Sequence, residues 1–304
     1  MGGNVFENGS TQIKKEYIND TLDKFIEELK RIFPNAKQWL EQTELLGSAG
    51  KKDISGDIDI ALDEQSLSKI EYWGISQKHV DNLFENFKKR ARTSTDHQIM
   101  NRAFITAIAD KINENSKIIC TNTKQSGSGV LYCQFPQYYK DNKLDIKVQI
   151  DINFGNLDWL RFAYYSDSYQ GNIKGLHRTQ LILHLFANKG YVFSHNYGVK
   201  NKDTQEIVAN TSQEAIDLLN TLYKLKLDDI TLSNYNNLQN NLRSNLKNNE
   251  LNAIYDIYLK TLDSTRCDIP EDLQQYWIDN KDRLGLTGKF LPEQSKLKKL
   301  CQDQ

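Results

Sequence analysis

The alternation of apolar and polar residues divides the chain into helical and strand segments. From residue 12 to residue 33, apolar residues recur every three or four positions, which predicts the buried face of an amphipathic helix. Pro34 ends this segment because proline disfavours the helical conformation at the residue before it. The apolar positions of the face are Ile18, Leu22, Phe25, Leu29 and Ile32.

Strand patterns then occur on both sides of a helical insertion. The predicted strands lie at 43–47, 57–62, 117–121, 129–135 and 144–154. The predicted helices of the insertion lie at 65–72, 76–93 and 96–115. The strand at 144–154 is the clearest, because its residues alternate strictly between an apolar face with Val148 and a polar face with Asp151.

After residue 156 the pattern is mostly helical. Helices are predicted at 157–165, 175–189, 212–226, 233–247, 250–263 and 271–282. A hairpin is predicted within 190–209, with its turn near Asn201-Lys202-Asp203. The pattern therefore predicts an α+β fold: a flexible tail over 1–11, a mixed-sheet domain with a helical insertion over 12–170, and a mainly helical C-terminal domain over 171–304.

The amino-acid composition limits the kinds of binding partner and the compartment that we expect. The 39 Lys+Arg and 40 Asp+Glu residues nearly cancel, which argues against a strongly basic binder of long duplexes. No apolar run approaches the roughly 18 residues needed to span a membrane, so we expect no membrane partner. The four cysteines form no C-x-x-C pair, and their scatter is typical of a reducing compartment, which leads us to expect a cytoplasmic protein.

Asp57 and Asp59 are the first candidates for chemistry. Residues two apart in a strand point to the same side, so the two carboxylates are predicted to be neighbours, while Ile58 and Ile60 face the core. A hard divalent cation such as Mg²⁺ would offset their repulsion, because it prefers oxygen ligands. Such a pair is also common on a half-exposed strand without any ligand.

Gly47 and Ser48 follow the strand predicted at 43–47 and come shortly before the two aspartates. A glycine lets backbone N–H groups approach a phosphate closely, and a serine hydroxyl can donate to a phosphate oxygen. On their own the two residues are equally typical of an ordinary tight turn.

Asp151 supplies a third carboxylate, on the polar face of the strand at 144–154. If that strand lies beside the strand at 57–62, three carboxylates converge and can hold two metal ions. Asp145 lies on the same face but six residues away, about 20 Å along a strand, so we expect it to stay outside this site.

Together these segments resemble the signature of the polymerase-β-type nucleotidyltransferase superfamily. The matching segments are LLGSAGKKDISGDIDIAL and VQIDINF. The layout is similar to that of stand-alone members encoded by bacteriophages, which would place the protein in the host cytoplasm. The spacer of eight residues from Ala49 to Gly56 is slightly shorter than is usual in the family.

The resemblance implies a role for each matched residue. Gly47 and Ser48 would bind the triphosphate of a nucleoside triphosphate such as ATP. Asp57, Asp59 and Asp151 would be the catalytic metal ligands for two Mg²⁺ or Mn²⁺ ions. The implied reaction transfers a nucleoside monophosphate to a hydroxyl group and releases pyrophosphate.

Lys174 and Arg178 are further candidates for binding the triphosphate, since they lie four residues apart at a predicted helix start. A solvated helix start explains them equally well. We interpret His184 as a packed helix residue, and most of Tyr164, Tyr165, Tyr191 and Tyr197 as core or interface residues, although each tyrosine is able to stack on a base.

The acceptor is left open by the sequence. An RNA or tRNA 3′ end is our first hypothesis, and a protein side chain, a small molecule such as an aminoglycoside, or a second nucleotide are the alternatives. A protein of another class, non-catalytic but retaining the fold, is the remaining hypothesis.

Overall fold

The computed structural model describes residues 5–6, 9–91, 94–166, 175–265 and 267–287. These residues form an α+β fold with a mixed five-stranded sheet, which confirms the predicted class. In chain order the strands are β1 (Ile13–Lys14), β2 (Glu44–Leu45), β3 (Ile54–Ser55), β4 (Ile58–Asp63), β5 (Cys120–Thr121), β6 (Val130–Tyr139), β7 (Asn142–Gly155), β8 (Tyr191–Ser194), β9 (Gly198–Asn201) and β10 (Ile207–Ala209).

The helices alternate with these strands and dominate the second half of the chain. They are α1 (Lys15–Ile32), α2 (Lys37–Leu40), α3 (Ile70–Trp73), α4 (Gln77–Lys88), α5 (Asp96–Asn115), α6 (Leu157–Ala163), α7 (Gly175–Asn188), α8 (Ser212–Tyr223), α9 (Tyr235–Asn245), α10 (Asn248–Thr265) and α11 (Gln274–Leu284). Short 3₁₀ turns occur at Pro34–Ala36, Glu64–Ser66, Thr231–Ser233 and Glu271–Leu273.

The five-stranded sheet has the order β2-β4-β7-β6-β5. β4 runs parallel to β7, and the other neighbours are antiparallel. One face of the sheet is apolar and packs against α1 and α5, as when the Phe25 ring of α1 meets the Phe135 ring of β6 at 5.3 Å between centroids. Burial of this face fixes the strand register, because a slip of one residue would turn every side chain to the opposite face.

The opposite face carries polar side chains and is covered in part by α6. Leu160 of α6 packs in a small apolar cluster with Ala61 of β4 and Leu46. Asn156 caps α6 by accepting hydrogen bonds from the backbone N–H groups of the helix's first turn, and Arg161 forms a bidentate ion pair with Glu44 of β2. α6 is thus fixed over the carboxyl ends of β4 and β7.

The N-terminal segment crosses the same polar face. The Thr11 backbone N–H donates to the Lys147 carbonyl of β7 at 2.8 Å, and the Gln137 side chain of β6 donates to the Thr11 hydroxyl at 2.9 Å. β1 continues this path and pairs with β3. These contacts attach the described part of 1–11, which we expected to be a flexible tail, to the sheet.

The chain divides into two compact units. The first comprises residues 1–170, 194–198 and 210–212, and the second comprises 171–193, 199–209 and 213–304. The second unit holds the helices from α7 onward, with α7 packed against α9 and α10, and most of the three-stranded sheet β10-β9-β8. The predicted turn at 201–203 falls between β9 and β10, where the Asn201 side chain accepts hydrogen bonds from the next turn of backbone.

Two further observations concern the cysteines and the helices of the described residues. Their three cysteines, Cys120, Cys133 and Cys267, are free thiols. No helix among these residues combines the length and apolarity needed to cross a membrane.

Several elements differ from the sequence prediction. The continuous helix predicted over 65–72 is wrong, because Asp63 caps a 3₁₀ turn and the chain re-enters a helix only at Ile70. β1 and β3 were not predicted, since two residues are too few to show a period. The strand predicted at 57–62 is shifted by one residue, and Asp57 lies just before β4.

Candidate polar site on the sheet

Three polar residues form one row across the middle of the sheet. Asp59 of β4 is paired in register with Asp151 of β7, and Asp151 is paired in register with Tyr132 of β6. Paired residues of neighbouring strands lie on the same face and are about 5 Å apart. Asp57, two residues before Asp59, lies close enough for its charge to raise the pKa of both Asp59 and Asp151. The fold therefore brings together the three aspartates that were predicted to converge.

Gly47 lies beside Asp59 at the other end of this row. The backbone N–H of Leu46 donates to the Asp59 carbonyl at 2.8 Å, which places the following turn next to the carboxylate. Gly47 has φ +66°, and a Cβ added to it would lie 3.3 Å from Asp59 Oδ2. A side chain here would be both strained and crowded against the carboxylate, so the position suits glycine. Ser48 follows in the same turn and is partly exposed.

Two buried amide side chains hold the carboxylates. Gln149 donates from Nε2 to both oxygens of Asp151, at 2.8 and 3.2 Å. Asn153 donates from Nδ2 to Asp59 Oδ1 at 3.3 Å, and its own Oδ1 accepts a 2.7 Å hydrogen bond from the Tyr164 hydroxyl. Because these groups are on β7 and at the end of α6, they orient the carboxylates from within the fold.

The three carboxylates repel one another, because burial removes part of the water that would screen their charges. Burial and the charge of Asp57 raise the pKa of Asp59 to about 7, against the hydrogen bond from Asn153. Burial and the charges of Asp59 and Asp57 raise the pKa of Asp151 to about 8, against the hydrogen bond from Gln149. Burial also raises the pKa of Asp57, which the nearby positive charge of Lys52 opposes. Each carboxylate would hold its proton less tightly beside a cation.

The Tyr132 phenol belongs to the same electrostatic group. Burial raises its pKa, and the negative charges of Asp151, Asp59 and Asp57 raise it further. The hydroxyl therefore stays protonated near neutral pH and retains a hydrogen to donate.

Oxygen donors of this kind suit Mg²⁺ or Mn²⁺, and a divalent cation would offset the repulsion among them. Within the described residues, however, no three His, Cys, Asp or Glu side chains already stand in a metal-binding arrangement. The Gln149 amide explains part of this, because it directs both oxygens of Asp151 towards itself. A cation would therefore have to turn Asp151 away from Gln149.

The predicted basic residues Lys174 and Arg178, and Lys51 in the turn after Ser48, lie in different parts of the chain. The Lys51 ammonium donates to the Ser166 carbonyl and lies 5.5 Å from the centroid of the Tyr165 ring. Arg178 belongs to α7 in the second unit, where it is 3% exposed and donates from Nε to the Leu232 carbonyl at 2.7 Å. Lys174 lies outside the described residues.

The remaining candidates separate into structural and site-adjacent residues. Asp145 is exposed near the start of β7, six residues before Asp151 and therefore well outside the row. His184 is a packed residue as expected, with Nε2 2.7 Å from the Thr261 hydroxyl. Tyr164, by contrast, contacts the amide that holds Asp59. The sequence pattern singled out neither this contact nor Tyr132, because only strand pairing makes Tyr132 a neighbour of Asp151.

Comparison of the chain with models of known protein families gives no match. Comparison with curated proteins gives no significant match either.

Proposed function

We propose that the protein is a metal-dependent nucleotidyltransferase that moves a nucleoside monophosphate from a nucleoside triphosphate to a hydroxyl acceptor. The observation that carries this proposal is the in-register pairing of Asp59 with Asp151 on adjacent parallel strands. Asp57 close to both carboxylates and Gly47 against Asp59 complete the set. Pyrophosphate is the leaving group of the proposed reaction.

Asp57, Asp59 and Asp151 would hold the metal ions. The chemistry of the donors fits, since three carboxylates with raised pKa values would be stabilised by compensating positive charge. Bound Mg²⁺ or Mn²⁺ would supply charge stabilisation for the attacking and leaving oxygens. Asn153 would keep Asp59 oriented, as the buried partners of ligating groups commonly do, and Asp151 would turn away from Gln149 to meet a cation.

Gly47 and Ser48 would bind the triphosphate. The absence of a side chain at Gly47 leaves room beside Asp59, and the turn around Ser48 offers backbone N–H groups and a hydroxyl as donors. Lys52, whose charge lowers the pKa of Asp57, adds positive charge on this side. Arg178 takes no part in this assignment, because its buried guanidinium donates to a backbone carbonyl of the second unit.

An RNA or tRNA 3′ end is the first acceptor we propose, and a protein, a small molecule or a second nucleotide are the alternatives. The rival function is that of a binding protein without catalysis. The Gln149 contact with both oxygens of Asp151 favours this rival, because it occupies the carboxylate that catalysis requires.

The test is to incubate the full chain with each α-labelled nucleoside triphosphate, Mg²⁺ or Mn²⁺, and total RNA. We expect labelled RNA and released pyrophosphate. Asp59→Asn should lower the rate by at least about a thousandfold, because charge stabilisation by a metal site contributes several kcal/mol. Asp145→Asn is the matched control, because Asp145 is an exposed aspartate of the neighbouring strand β7, and this variant should transfer at the normal rate.

Two results would count against the proposal. The first is wild-type protein that gives no labelled product with RNA, protein or small hydroxyl compounds and shows no metal-dependent binding of nucleotide. The second is an Asp59→Asn variant that is folded and fully active. Metal-dependent nucleotide binding without any transfer would favour the binding protein.

A further inference from the structure

Four residues follow one another in a line across the strands. Gly47 lies next to Asp59, Asp59 is paired with Asp151, and Asp151 is paired with Tyr132. The line has two chemically different ends. The Gly47 end offers a turn for phosphate, so an acceptor that meets the same carboxylates would approach from the Tyr132 end.

One wall beside this line is made by the N-terminal strap, which we define as residues 5–6 and 9–12. The Val5 backbone N–H donates to Gln149 Oε1 at 3.2 Å, and Asn122 Nδ2 donates to the Val5 carbonyl at 2.7 Å. Gln134 Nε2 donates to the Gly9 carbonyl at 3.3 Å and to the Ser10 hydroxyl at 3.2 Å. Gln134 is paired with Gln149, so the strap crosses the sheet one side-chain row away from Asp151.

The other wall is made by α6, on the opposite side of the line. Leu160 packs with Ala61, two residues after Asp59, and the Tyr164 hydroxyl donates to Asn153, two residues after Asp151. Both contacts fall one side-chain row beyond the carboxylates. The line is therefore bounded by the strap on one side and by α6 on the other.

Exposure of the side chains agrees with a narrow opening. Gln149 is 2% exposed and Gln134 is 4% exposed under the strap, and Asn153 is 1% exposed under α6. Asp59 and Tyr132, which lie between the walls, are partly exposed. Gln149 and Asn153 are four residues apart on β7, which corresponds to about 13 Å between their backbones before the bulk of the walls is subtracted.

We propose that Tyr132 and the N-terminal strap form an acceptor subsite that admits a single unpaired RNA end and excludes a paired one. The Tyr132 ring would stack on the last base of the strand, as aromatic side chains do in single-strand binding sites. The walls leave room for one nucleotide, whereas a terminal base pair would meet the strap. This inference rests on the proposed function and adds to it the form of the acceptor.

The experiment uses a 12-nucleotide RNA, single-stranded or annealed to a complement that leaves flush ends. Binding is measured by fluorescence anisotropy without nucleoside triphosphate or metal, and transfer is measured separately with both present. We expect wild-type protein to bind and extend the single strand at least tenfold better than the flush duplex. Tyr132→Ala should raise the Kd and the KM for the single strand at least about fivefold, the lower range of a base–aromatic stack, and leave the KM for nucleoside triphosphate unchanged.

Matched variants separate stacking from a structural role. Tyr132→Phe keeps the ring, so the RNA affinity should stay within twofold of the wild type. Tyr139→Ala, on the same strand where its ring faces Tyr17, should change neither Kd nor KM. Combined Asn122→Ala and Gln134→Ala removes the Asn122 contact to Val5 and the Gln134 contacts to Gly9 and Ser10. This weakening of the strap should improve extension of the flush duplex relative to the single strand.

The outcomes distinguish this inference from the proposed function. Wild-type protein that transfers to a protein or small molecule and binds neither RNA overturns the inference and leaves the proposed function standing. The same holds if Tyr132→Ala binds and extends RNA normally, or if wild type uses both RNAs equally. Tyr132-dependent binding of the single strand in a protein that never transfers supports the subsite and counts against the nucleotidyltransferase reaction.

Discussion

Asp59 and Asp151 are paired in register on β4 and β7, with their carboxylates on the polar face of the sheet. β4 and β7 are parallel, so the two residues occupy the same level along neighbouring strands and cannot separate without breaking the register. The apolar side chains on the reverse face, such as Ile58 and Ile150, are fully buried and hold that register. The packing of the core thus forces two like charges together.

Stability should depend on pH because of this forced proximity. The pKa values of Asp59 and Asp151 are raised in the folded state to about 7 and about 8, so the folded protein binds more protons than the unfolded chain. Their contribution is therefore most favourable below the ordinary aspartate pKa of about 4 and is lost as pH rises through 7 and 8. Metal-free protein should show a melting temperature that falls between pH 6 and pH 9.

Two comparisons isolate this effect in thermal unfolding measurements. Asp59→Asn should flatten the fall between pH 6 and pH 9, and Asp145→Asn should leave it unchanged. Mg²⁺ or Mn²⁺ should raise the melting temperature at pH 8.5 far more than at pH 5, because protonated carboxyl groups bind cations poorly. A wild-type curve that does not differ from that of Asp59→Asn would contradict the repulsion.

Gly47→Ala should impair nucleotide binding. The residue has φ +66°, and the new Cβ would lie 3.3 Å from Asp59 Oδ2, in the space that we assign to phosphate. The left-handed backbone should cost about 1–2 kcal/mol of stability, and the KM for nucleoside triphosphate should rise at least tenfold. Titration with a fluorescent nucleoside triphosphate in the presence of Mg²⁺ measures the binding.

Gly50→Ala is the control for backbone strain in the same turn. Gly50 has φ +75°, and its added Cβ would meet only Leu45 Cδ2, at 3.4 Å. Its loss of stability should match that of Gly47→Ala, without the loss of nucleotide binding. Equal loss of binding in both variants would mean that Gly47 acts only as a turn residue.

Tyr164→Phe should lower the transfer rate without removing a charged group. The change deletes the 2.7 Å hydrogen bond to Asn153 and leaves a buried amide oxygen unpaired, which should cost about 1–3 kcal/mol of stability. Asn153 then holds Asp59 less firmly, and we expect the rate to fall about tenfold. Chemical denaturation and single-turnover transfer measure the two effects.

Tyr165→Phe is the neighbouring control. It keeps the ring that faces the Lys51 ammonium and leaves the hydrogen bond between Tyr164 and Asn153 intact, so the transfer rate should be retained. If Tyr164→Phe also transferred at the full rate, Asn153 would orient Asp59 without help from the hydroxyl.

His184, in the second unit, should contribute to the stability of the fold and not to nucleotide or metal binding. Burial lowers its pKa, so the neutral ring is the stable form in the fold. Because the pKa of His184 is lower in the folded protein than in the unfolded chain, its contribution to stability is fully present above about pH 6.5. That contribution is lost as the pH falls below this value. His184→Ala should lose about 1–3 kcal/mol at pH 7.5, from its buried contact with Thr261, and should flatten the fall in stability on the acidic side.

Nucleotide binding provides the check on His184. Because α7 packs His184 against α10, we expect the folded variant to bind nucleoside triphosphate and metal with wild-type affinity. Loss of metal binding in a folded His184→Ala protein would assign the residue to a ligand site.

The local pattern of the sequence determined the site's components. Alternation along 144–154 was enough to place Asp151 opposite Ile150 and Ile152, and the D-I-D order placed Asp57 and Asp59 on one side. The spacing of apolar residues every three or four positions predicted most helices from residue 12 onward to within a few residues. These features depend only on backbone geometry over a few neighbouring residues, which is why the sequence alone reveals them.

Tertiary structure decided how those components meet. Nothing in the sequence required β4 to lie directly beside β7 at the level of Asp59 and Asp151, or Tyr132 to stand on the far side of Asp151. Nor did the sequence predict that the N-terminal strap, residues 5–6 and 9–12, would cross the sheet and bind Gln149 and Gln134. Strand order, register and the covering of a polar face depend on residues far apart in the chain and on burial of a common core, and these are settled only when the whole fold forms.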